Sequence, residues 1–235
     1  MRITRDPVSG NASGWLDLAE RDRVPLLDEP ALEELDRGLA EAQAAGATAI
    51  VISGGRHGTF AAGADLRRLA KLDAAAALRF ATRGQRIIDR LERYPGVLIA
   101  AIAGRCIGGA FDLVLACDVR LADTTARFEH PGPRLGFITG YGGTARLARR
   151  IGPRSVGLVT GSDVLEAERA LAIGLLARIA APADLLRDAH RLARQIAKTD
   201  PRRVRSLKEA LHRLGGARRR RRLERAVTAL LGAGR

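Results

Sequence analysis

The sequence predicts an α/β protein that ends in a helical region. Two strand-length runs, 47–53 (ATAIVIS) and 97–102 (VLIAAI), are continuously apolar, as expected for strands covered on both faces. Helix-length segments separate these runs, whereas the chain from Gly142 onward has an almost wholly helical pattern. Strands that alternate with helices early, and helices alone later, indicate an α/β core followed by helices.

Turn residues and hydrophobic spacing divide the rest of the chain into shorter elements. Further strands are predicted at 2–4, 15–19, 119–122 and 126–128. A helix opened by Pro30 runs to about 45, with these residues on its apolar stripe: Leu32, Leu35, Leu39 and Ala40. A glycine-rich loop follows at 54–63, and a helix at 74–94 has this expected buried side: Leu78, Ala81, Ile87, Ile88 and Leu91. Another helix ends near Cys117.

Composition places the chain among globular proteins. Hydrophobic residues make up 46% of the 235 residues and charged residues 28%, which allows a substantial core and argues against disorder. The apolar runs are too short for a membrane span, and residues 1–14 lack the apolar segment of a secretion signal, so a cytoplasmic protein is expected. Cys106 and Cys117 lie in apolar surroundings, which favours small core residues over redox or metal chemistry.

The formal net charge of +14 allows three interpretations: a solvated surface, a patch for phosphates or a partner, and a nucleic-acid surface. Nucleic-acid binders usually interleave aromatic residues for stacking, but aromatic residues are only 3% here. Acidic residues also accompany the arginines along most helices, and the densest basic run is 218–222. A nucleic-acid partner is therefore the least favoured of the three.

Two segments share one design, in which a buried strand leads through a glycine turn into a helix. The first is 51–69, with its turn at 60–66, and the second is 99–113, with its turn at 108–110. Helix N-termini present unpaired backbone N–H groups and a partial positive charge, so two facing ends could hold one oxygen that becomes negative during a reaction. Each turn alone is ordinary architecture, so the spacing leaves both interpretations open.

These segments resemble the crotonase superfamily, which includes enoyl-CoA hydratases and isomerases. FAAGADL at 60–66 is similar to the family's first oxyanion-hole loop, and AIAGRCIGGAFDLVLACDVRLAD at 101–123 to the second loop and its helix. FEHPGPRLGFITGYGGTARLARRIG at 128–152 resembles the segment beneath the acyl group, and GSDVLEAERALAIGLLARI at 161–179 a later helix and turn. The resemblance covers about residues 1–210 and implies a spiral of ββα repeats with a C-terminal helical region.

The resemblance implies a set of site residues. The backbone N–H groups of Ala64 and Gly109 match the two oxyanion donors. Coenzyme A contacts are implied for the Ala62 carbonyl, which would receive the adenine amino group, for the adjoining Asp65 and Leu66, and for the Gly108 turn. A basic residue near the first helix often contacts the coenzyme phosphate, and Arg23, or else Arg21, is the nearest candidate.

The acid–base groups depart from the family pattern. Family hydratases use two glutamates on one water, but the matching positions here hold Asp112 and Gly132, and a third acidic position holds Gly140. Asp112 is therefore the expected catalytic carboxylate, with helix-start stabilisation as its alternative role. Three substitutes are weighed beside it. His130 suits proton transfer but is better interpreted as a satisfied or solvent-facing histidine, Glu129 is expected to point outward, and Tyr141 is a phenol candidate.

The sequence therefore predicts an acyl-CoA enzyme of the hydratase or isomerase type, whose coenzyme A is part of the substrate and which needs no further cofactor or metal. The alternative is a weakly active or inactive homologue that binds acyl-CoA or a partner enzyme. Residues 1–180 form the expected core, and residues 181–235 a shortened helical region for assembly into trimers or hexamers.

Overall fold

A computed structural model describes residues 2–5, 12–18, 24–54, 58–136 and 138–213. The strands in these ranges are β1 Arg2–Arg5, β2 Ala12–Asp17, β3 Ala47–Ser53, β4 Thr59–Ala61, β5 Val97–Ile102, β6 Arg105–Ile107, β7 Val119–Asp123, β8 Arg127–Glu129, β9 Leu165–Glu166 and β10 Arg178–Ala180. The helices are α1 Glu29–Ala44, α2 Leu66–Leu69, α3 Ala74–Glu92, α4 Gly109–Ala116, α5 Gly143–Ile151, α6 Val156–Val159, α7 Ala167–Ala172, α8 Leu185–Ala197 and α9 Pro201–Arg213. Two 3₁₀ helices lie at Gly132–Leu135 and Gly152–Ser155.

The larger sheet has the strand order β1-β2-β3-β5-β7-β10 and is parallel from β2 onward. Its central strand β3 is buried along its whole length, as its unbroken apolar sequence predicts. Ile50 and Ile52 belong to the main core, whereas Ala49 and Val51 meet α8 on the opposite face. The C-terminal helical region therefore contributes a layer to the sheet rather than standing apart from it.

The smaller sheet, β4-β6-β8-β9, stands where the chain leaves the larger one. β3 leads into β4 and α2, β5 leads into β6 and α4, and β7 leads into β8 and the 3₁₀ helix Gly132–Leu135. β4, β6 and β8 are parallel neighbours, so each repeat adds one strand to both sheets. This arrangement confirms the spiral of ββα repeats that the sequence resemblance implies.

The first helix agrees with its expected position except on one face. Asp28 caps α1 by accepting a hydrogen bond from the Ala31 amide at 3.2 Å, and Pro30 occupies the first turn. Leu32, Leu35 and Leu39 are buried as expected, but Ala40 is exposed. Gly38 and Ala42 take the place predicted for Ala40, because the Leu16 side chain packs directly on Gly38.

The expected buried side of α3 is right only in its second half. Ile87, Ile88 and Leu91 are buried, but Ala81 is half-buried and Leu78 is 69% exposed. The fully buried residues of the helix begin at Gly84. Before that point Phe80 packs against the edge of the core, and it also lines a surface cavity together with Ala76 and Arg79.

Four short strands escape the sequence prediction. β4 lies within the expected loop at 54–63, β6 follows β5 closely, and β9 and β10 interrupt the region expected to be helical. Each has two or three residues, too few to show an alternating pattern. Cys106 and Cys117 are buried free thiols, which confirms their interpretation as core residues.

No helix in the described part of the chain is long and apolar enough to cross a membrane. The expected division at residue 180 and the assembly role of residues 181–235 remain predictions. The basic run at 218–222 lies outside the described residues.

Candidate active site

The two glycine turns meet at one edge of the smaller sheet. β4 and β6 are adjacent parallel strands, with Ala61 opposite Cys106, so their following turns leave the sheet side by side. A Cβ atom added to Gly63 would lie 2.8 Å from the Gly109 nitrogen, closer than carbon side chains pack. The absence of a side chain at Gly63 thus allows the first turn to touch the start of α4.

The turns leave two backbone amides available. The Gly108 amide donates to the Glu129 carbonyl at 2.9 Å, so the next amide, that of Gly109, is the first free donor at the start of α4. The Ala64 amide, on the other turn, has no acceptor among the described residues. We call the Ala64 and Gly109 N–H groups the two-amide site.

The remaining residues of the first turn are held by local contacts. The Ala62 carbonyl accepts from the Leu27 amide at 3.3 Å, which leaves one of its two lone pairs for another donor. The Asp65 carboxylate accepts from the Arg67 amide at 2.8 Å and caps α2, while Leu66 is exposed. The expected coenzyme contacts of Ala62, Asp65 and Leu66 remain predictions. Arg21 and Arg23 lie outside the described residues.

A cavity of about 230 Å³ opens beside Ala64. Its apolar wall is formed by Leu69, Leu72, Ala76 and Phe80. Its charged lining residues are Asp28, Glu29, Asp65, Arg68 and Arg79, and Arg68 lies 3.5 Å from the Asp28 carboxylate. This cavity combines an apolar wall with charged groups of both signs, as ligand sites often do.

A larger cavity of about 380 Å³ lies between the end of β2 and α1, away from both turns. Its charged lining residues are Asp17, Glu34, Arg37 and Glu41, so carboxylates outnumber cations. The smaller cavity is the one that Ala64 and Asp65 of the first turn line, and we therefore take it as the candidate site.

Asp112 lies in α4 one turn after Gly109 and is fully buried. Its Oδ2 accepts hydrogen bonds from the Thr139 hydroxyl and from the Tyr141 amide, the latter at 3.1 Å. Burial raises the pKa of Asp112 to about 7, against the opposing effects of Thr139, the Tyr141 and Gly143 amides, and the Arg146 charge. A carboxyl group with this pKa can both give and take a proton near neutrality.

His130 faces Asp112 from the end of β8. Its Nε2 lies 3.4 Å from Asp112 Oδ1, and its ring stacks on Phe111 with 4.9 Å between the centroids. Burial lowers the pKa of His130 to about 4. The expectation of a satisfied or solvent-facing histidine is wrong. The ring is 2% exposed, and neither nitrogen has an aligned hydrogen-bond partner among the described residues.

Glu129 and Tyr141 have structural tasks. Glu129 is buried rather than turned outward, because its carboxylate pairs with Arg105 at 2.6 Å and with Arg134 at 3.4 Å. The Tyr141 hydroxyl donates to the Leu27 carbonyl at 2.8 Å, and burial raises the pKa of this phenol above its usual range. A Cβ added to Gly109 would lie 2.6 Å from the Tyr141 ring, which therefore forms a wall beside the two-amide site.

Comparison with known proteins gives this geometry its context. The sequence profile of the family described as Enoyl-CoA hydratase/isomerase matches residues 15–229. The chain belongs to this family, the crotonase superfamily. A short-chain-enoyl-CoA hydratase from Clostridium acetobutylicum is 31% identical to this crotonase over 189 residues, which cover 80% of this chain and 72% of that protein.

Solved structures agree with the family assignment. Enoyl-CoA hydratase subunit I from Geobacillus kaustophilus HTA426 has a TM-score of 0.83 at 30% identity, covering 99% of this crotonase and 90% of that chain. An enoyl-CoA hydratase from Bacillus anthracis has a TM-score of 0.79 at 29% identity, and the match covers 90% of this crotonase and 83% of that chain. These matches confirm the predicted crotonase fold.

Sequence reasoning missed three contributors to this site, Thr139, Arg68 and Arg79, and favoured a different role for a fourth, His130. Thr139 holds the Asp112 carboxylate, and His130 meets its other oxygen. Arg68 and Arg79 line the cavity beside Ala64. The basic pair Arg67–Arg68 directly after the FAAGADL segment is the one signal in the sequence that points to the first of these cations.

Proposed function

We propose that this crotonase binds an acyl-CoA thioester and stabilises its enolate with the two-amide site. The observation that carries the proposal is the contact between Gly63 and the Gly109 nitrogen, which brings the two turns together. Both donors belong to the backbone of short, half-buried turns that contact each other, so their positions are set by the fold. Fixed donors aimed at developing negative charge stabilise an enolate more than the neutral thioester.

Asp112 is the proposed acid–base group. A helix rises about 5.4 Å per turn, so Asp112 lies roughly one turn beyond the Gly109 amide that holds the thioester oxygen. From there its carboxyl group handles a proton at C2, next to the thioester carbonyl. The neighbouring positions Gly132 and Gly140 add no side chain. Proton transfer at C2, as in isomerisation or in protonation after decarboxylation, therefore needs fewer groups than water addition does.

Arg68 and Arg79 supply the proposed electrostatic attraction for the carrier. Coenzyme A bears several phosphate charges, and these two cations line the cavity that adjoins Ala64, together with the carboxylates of Asp28, Glu29 and Asp65. The net charge of +14 adds a long-range attraction for the same anion. We infer that acyl-CoA enters along this cavity with its thioester directed at the two-amide site.

A second candidate is an acyl-CoA-binding protein without turnover. The glycine at position 132 and the complete burial of Asp112 favour it, because both reduce access to an acid–base group. This candidate shares the binding site with the first and differs from it only in chemistry.

Exchange of the C2 protons of butyryl-CoA in D₂O, followed by mass spectrometry, tests the proposal without presupposing a particular acyl substrate. The wild-type protein should exchange them, and Asp112→Asn should slow exchange by about 100-fold or more, as expected for loss of a general acid–base group. Tight binding without exchange would support the second candidate, and absence of binding would contradict both.

Gly63→Ala tests the two-amide site in the same assay. The added Cβ would lie 2.8 Å from the Gly109 nitrogen and must push the turns apart, so exchange should fall sharply. Gly14→Ala is the matched control, because its Cβ would meet Ile50 at an ordinary 3.4 Å. Equal exchange in both variants would contradict the proposed role of the turns.

A further inference from the structure

We infer that His130 is the proton-sharing partner of Asp112, so that the buried pair, rather than Asp112 alone, is the acid–base unit of this site. The inference rests on the proposed function and assigns a positioning role to a residue outside the expected catalytic set. The contact that carries it is the 3.4 Å approach of His130 Nε2 to Asp112 Oδ1.

The two oxygens of Asp112 have different surroundings. Oδ2 is held by the Thr139 hydroxyl and by the Tyr141 amide at 3.1 Å. Oδ1 is buried and has no aligned hydrogen-bond partner in the described part of the chain. Oδ1, which lies against the Gly143 backbone, is thus the oxygen that faces His130.

The His130 ring is fixed in the position that meets this oxygen. It is 2% exposed and stacks on Phe111, a residue of the helix that also carries Asp112. Its two nitrogens, like Oδ1, lack aligned partners among the described residues. Two of these three atoms, Oδ1 and Nε2, form the 3.4 Å contact, and leaving both unsatisfied in a buried site carries a high energetic cost unless a proton joins them.

The other titratable and charged groups around Asp112 leave the pair without an external counterion. Arg146 approaches from α5, but its guanidinium is already paired with Asp89 at 2.5 Å and Glu92 at 3.0 Å. Cys106 on β6 is a buried thiol whose pKa is raised by burial and by Asp112, and the Tyr141 phenol is likewise held neutral by burial. The pair is therefore most stable with no net charge.

One shared proton gives the pair two neutral arrangements. In the first, Asp112 is a carboxylic acid and His130 a neutral imidazole. In the second, the proton has moved from Oδ1 to Nε2 and leaves a carboxylate beside an imidazolium. The first arrangement can donate a proton to C2 and the second can remove one, so both directions are available without proton uptake from solvent.

The charge balance holds through the reaction. When the carboxylate removes a C2 proton, the C–H bond breaks and an O–H bond forms, and the electron pair of the C–H bond becomes the enolate. The pair then carries one positive charge on the imidazolium, opposite the negative charge at the two-amide site. The return of the proton from the carboxyl group to carbon restores the carboxylate–imidazolium pair, which has no net charge, and the neutral thioester. His130 thus compensates the enolate charge without touching the substrate.

His130→Gln tests this role, because its amide keeps a polar group near the Nε2 position but cannot accept a proton. C2 exchange should fall by about 100-fold in rate with little change in acyl-CoA affinity, and its pH profile should lose one ionisation. His190→Gln is the matched control, since His190 is half-buried against Trp15 on the far side of the larger sheet. It should leave rate and profile unchanged.

A wild-type rate and pH profile in His130→Gln would overturn the inference while leaving the proposed function intact. Absence of exchange in the wild-type protein would instead contradict the proposed function. Nitrogen-15 NMR of the histidine rings covers the case in which the variant fails to fold. Asp112→Asn should shift the His130 Nε2 resonance but leave that of His190 unchanged, and an unmoved His130 resonance would also overturn the inference.

Discussion

At the scale of residues, Asp112 and His130 have opposing effects on stability. Burial raises the pKa of Asp112 from 3.8 to about 7. The protonated group therefore adds to the free energy of unfolding in full below pH 3.8, and this addition is lost as pH rises to about 7. Burial lowers the pKa of His130 from 6.5 to about 4, so its contribution is complete above pH 6.5 and is lost as pH falls to about 4. The free energy of unfolding therefore falls with pH because of Asp112 and rises with pH because of His130, across the same pH range.

A variant that lacks one of the two groups should therefore show the pH dependence of stability that the other group causes. Between pH 4 and 7, we expect the free energy of unfolding to rise with pH in Asp112→Asn and to fall with pH in His130→Gln, by about 1.4 kcal/mol for each unit of pKa shift. Urea unfolding at a series of pH values measures both slopes. Slopes of the same sign in the two variants would contradict the opposed shifts.

Tyr141 illustrates how a side chain can resemble a catalytic group and be structural. Its hydroxyl donates to the Leu27 carbonyl, so Tyr141→Phe should cost about 1–3 kcal/mol of unfolding free energy by leaving that buried carbonyl without its donor. The C2 exchange rate should remain within a few-fold of wild type. Complete loss of exchange in a folded Tyr141→Phe protein would instead assign the phenol a chemical role.

At the scale of elements, the start of α4 decides the direction of the Gly109 amide. Gly108 has a φ of 57° and a ψ of −119°, a conformation that residues with a Cβ avoid. Its amide is held by the Glu129 carbonyl of β8. The glycine turn and the neighbouring strand together therefore position the backbone at Gly109, whose nitrogen lies against Gly63 of the first turn.

Gly108→Ala, compared with a control variant, separates the effect of a displaced Gly109 amide from the effect of backbone strain alone. Gly152 is its matched control, because it has a φ of 59° and a ψ of −138° at a helix end, with nothing within 4 Å of an added Cβ. Both variants should lose about 1–3 kcal/mol of unfolding free energy, while only Gly108→Ala should also lose C2 exchange. Thermal unfolding measures the loss of stability, and the exchange assay measures the loss of activity. Loss of exchange in both variants would contradict a specific role for Gly108.

The elements also show what the sequence could predict. β3 and β5 coincide with the expected runs at 47–53 and 97–102, because strands covered on both faces are apolar throughout. β4 and β6 have only three residues each, and they are strands because a parallel neighbour supplies their hydrogen bonds. No local pattern records such a neighbour, so hydrophobic spacing missed β4 and β6, and only the resemblance to ββα repeats implied them.

At the scale of the whole molecule, the sequence located the two turns but not the partner of Asp112. Asp112 and His130 come from different repeats of the spiral, on α4 and at the end of β8. Their contact depends on how the repeats stack, which hydrophobic spacing does not encode. The turns were recognisable because their chemistry depends on backbone atoms and small residues that follow one another in the chain.

The positive net charge should affect carrier binding as a whole-molecule property. Raising salt from 0.05 to 0.5 M, chosen to bring the Debye length from about 14 to 4 Å, should weaken acyl-CoA binding but not binding of an uncharged S-acyl-N-acetylcysteamine. Arg68→Gln and Arg79→Gln should reduce the salt dependence, while Arg191→Gln on α8 should not. Calorimetric affinities that stay constant with salt would remove the electrostatic role of these arginines.

The vibrational frequency of a bound thioester carbonyl tests the two-amide site most directly. Infrared difference spectra of butyryl-CoA with and without a ¹³C label at the carbonyl isolate this stretch in the complex. Two hydrogen bonds from Ala64 and Gly109 polarise the C=O bond, so the band should move to lower frequency in the wild-type protein and return toward its solution value in Gly63→Ala. A bound thioester whose band stays at its solution frequency in the wild-type protein would contradict the account.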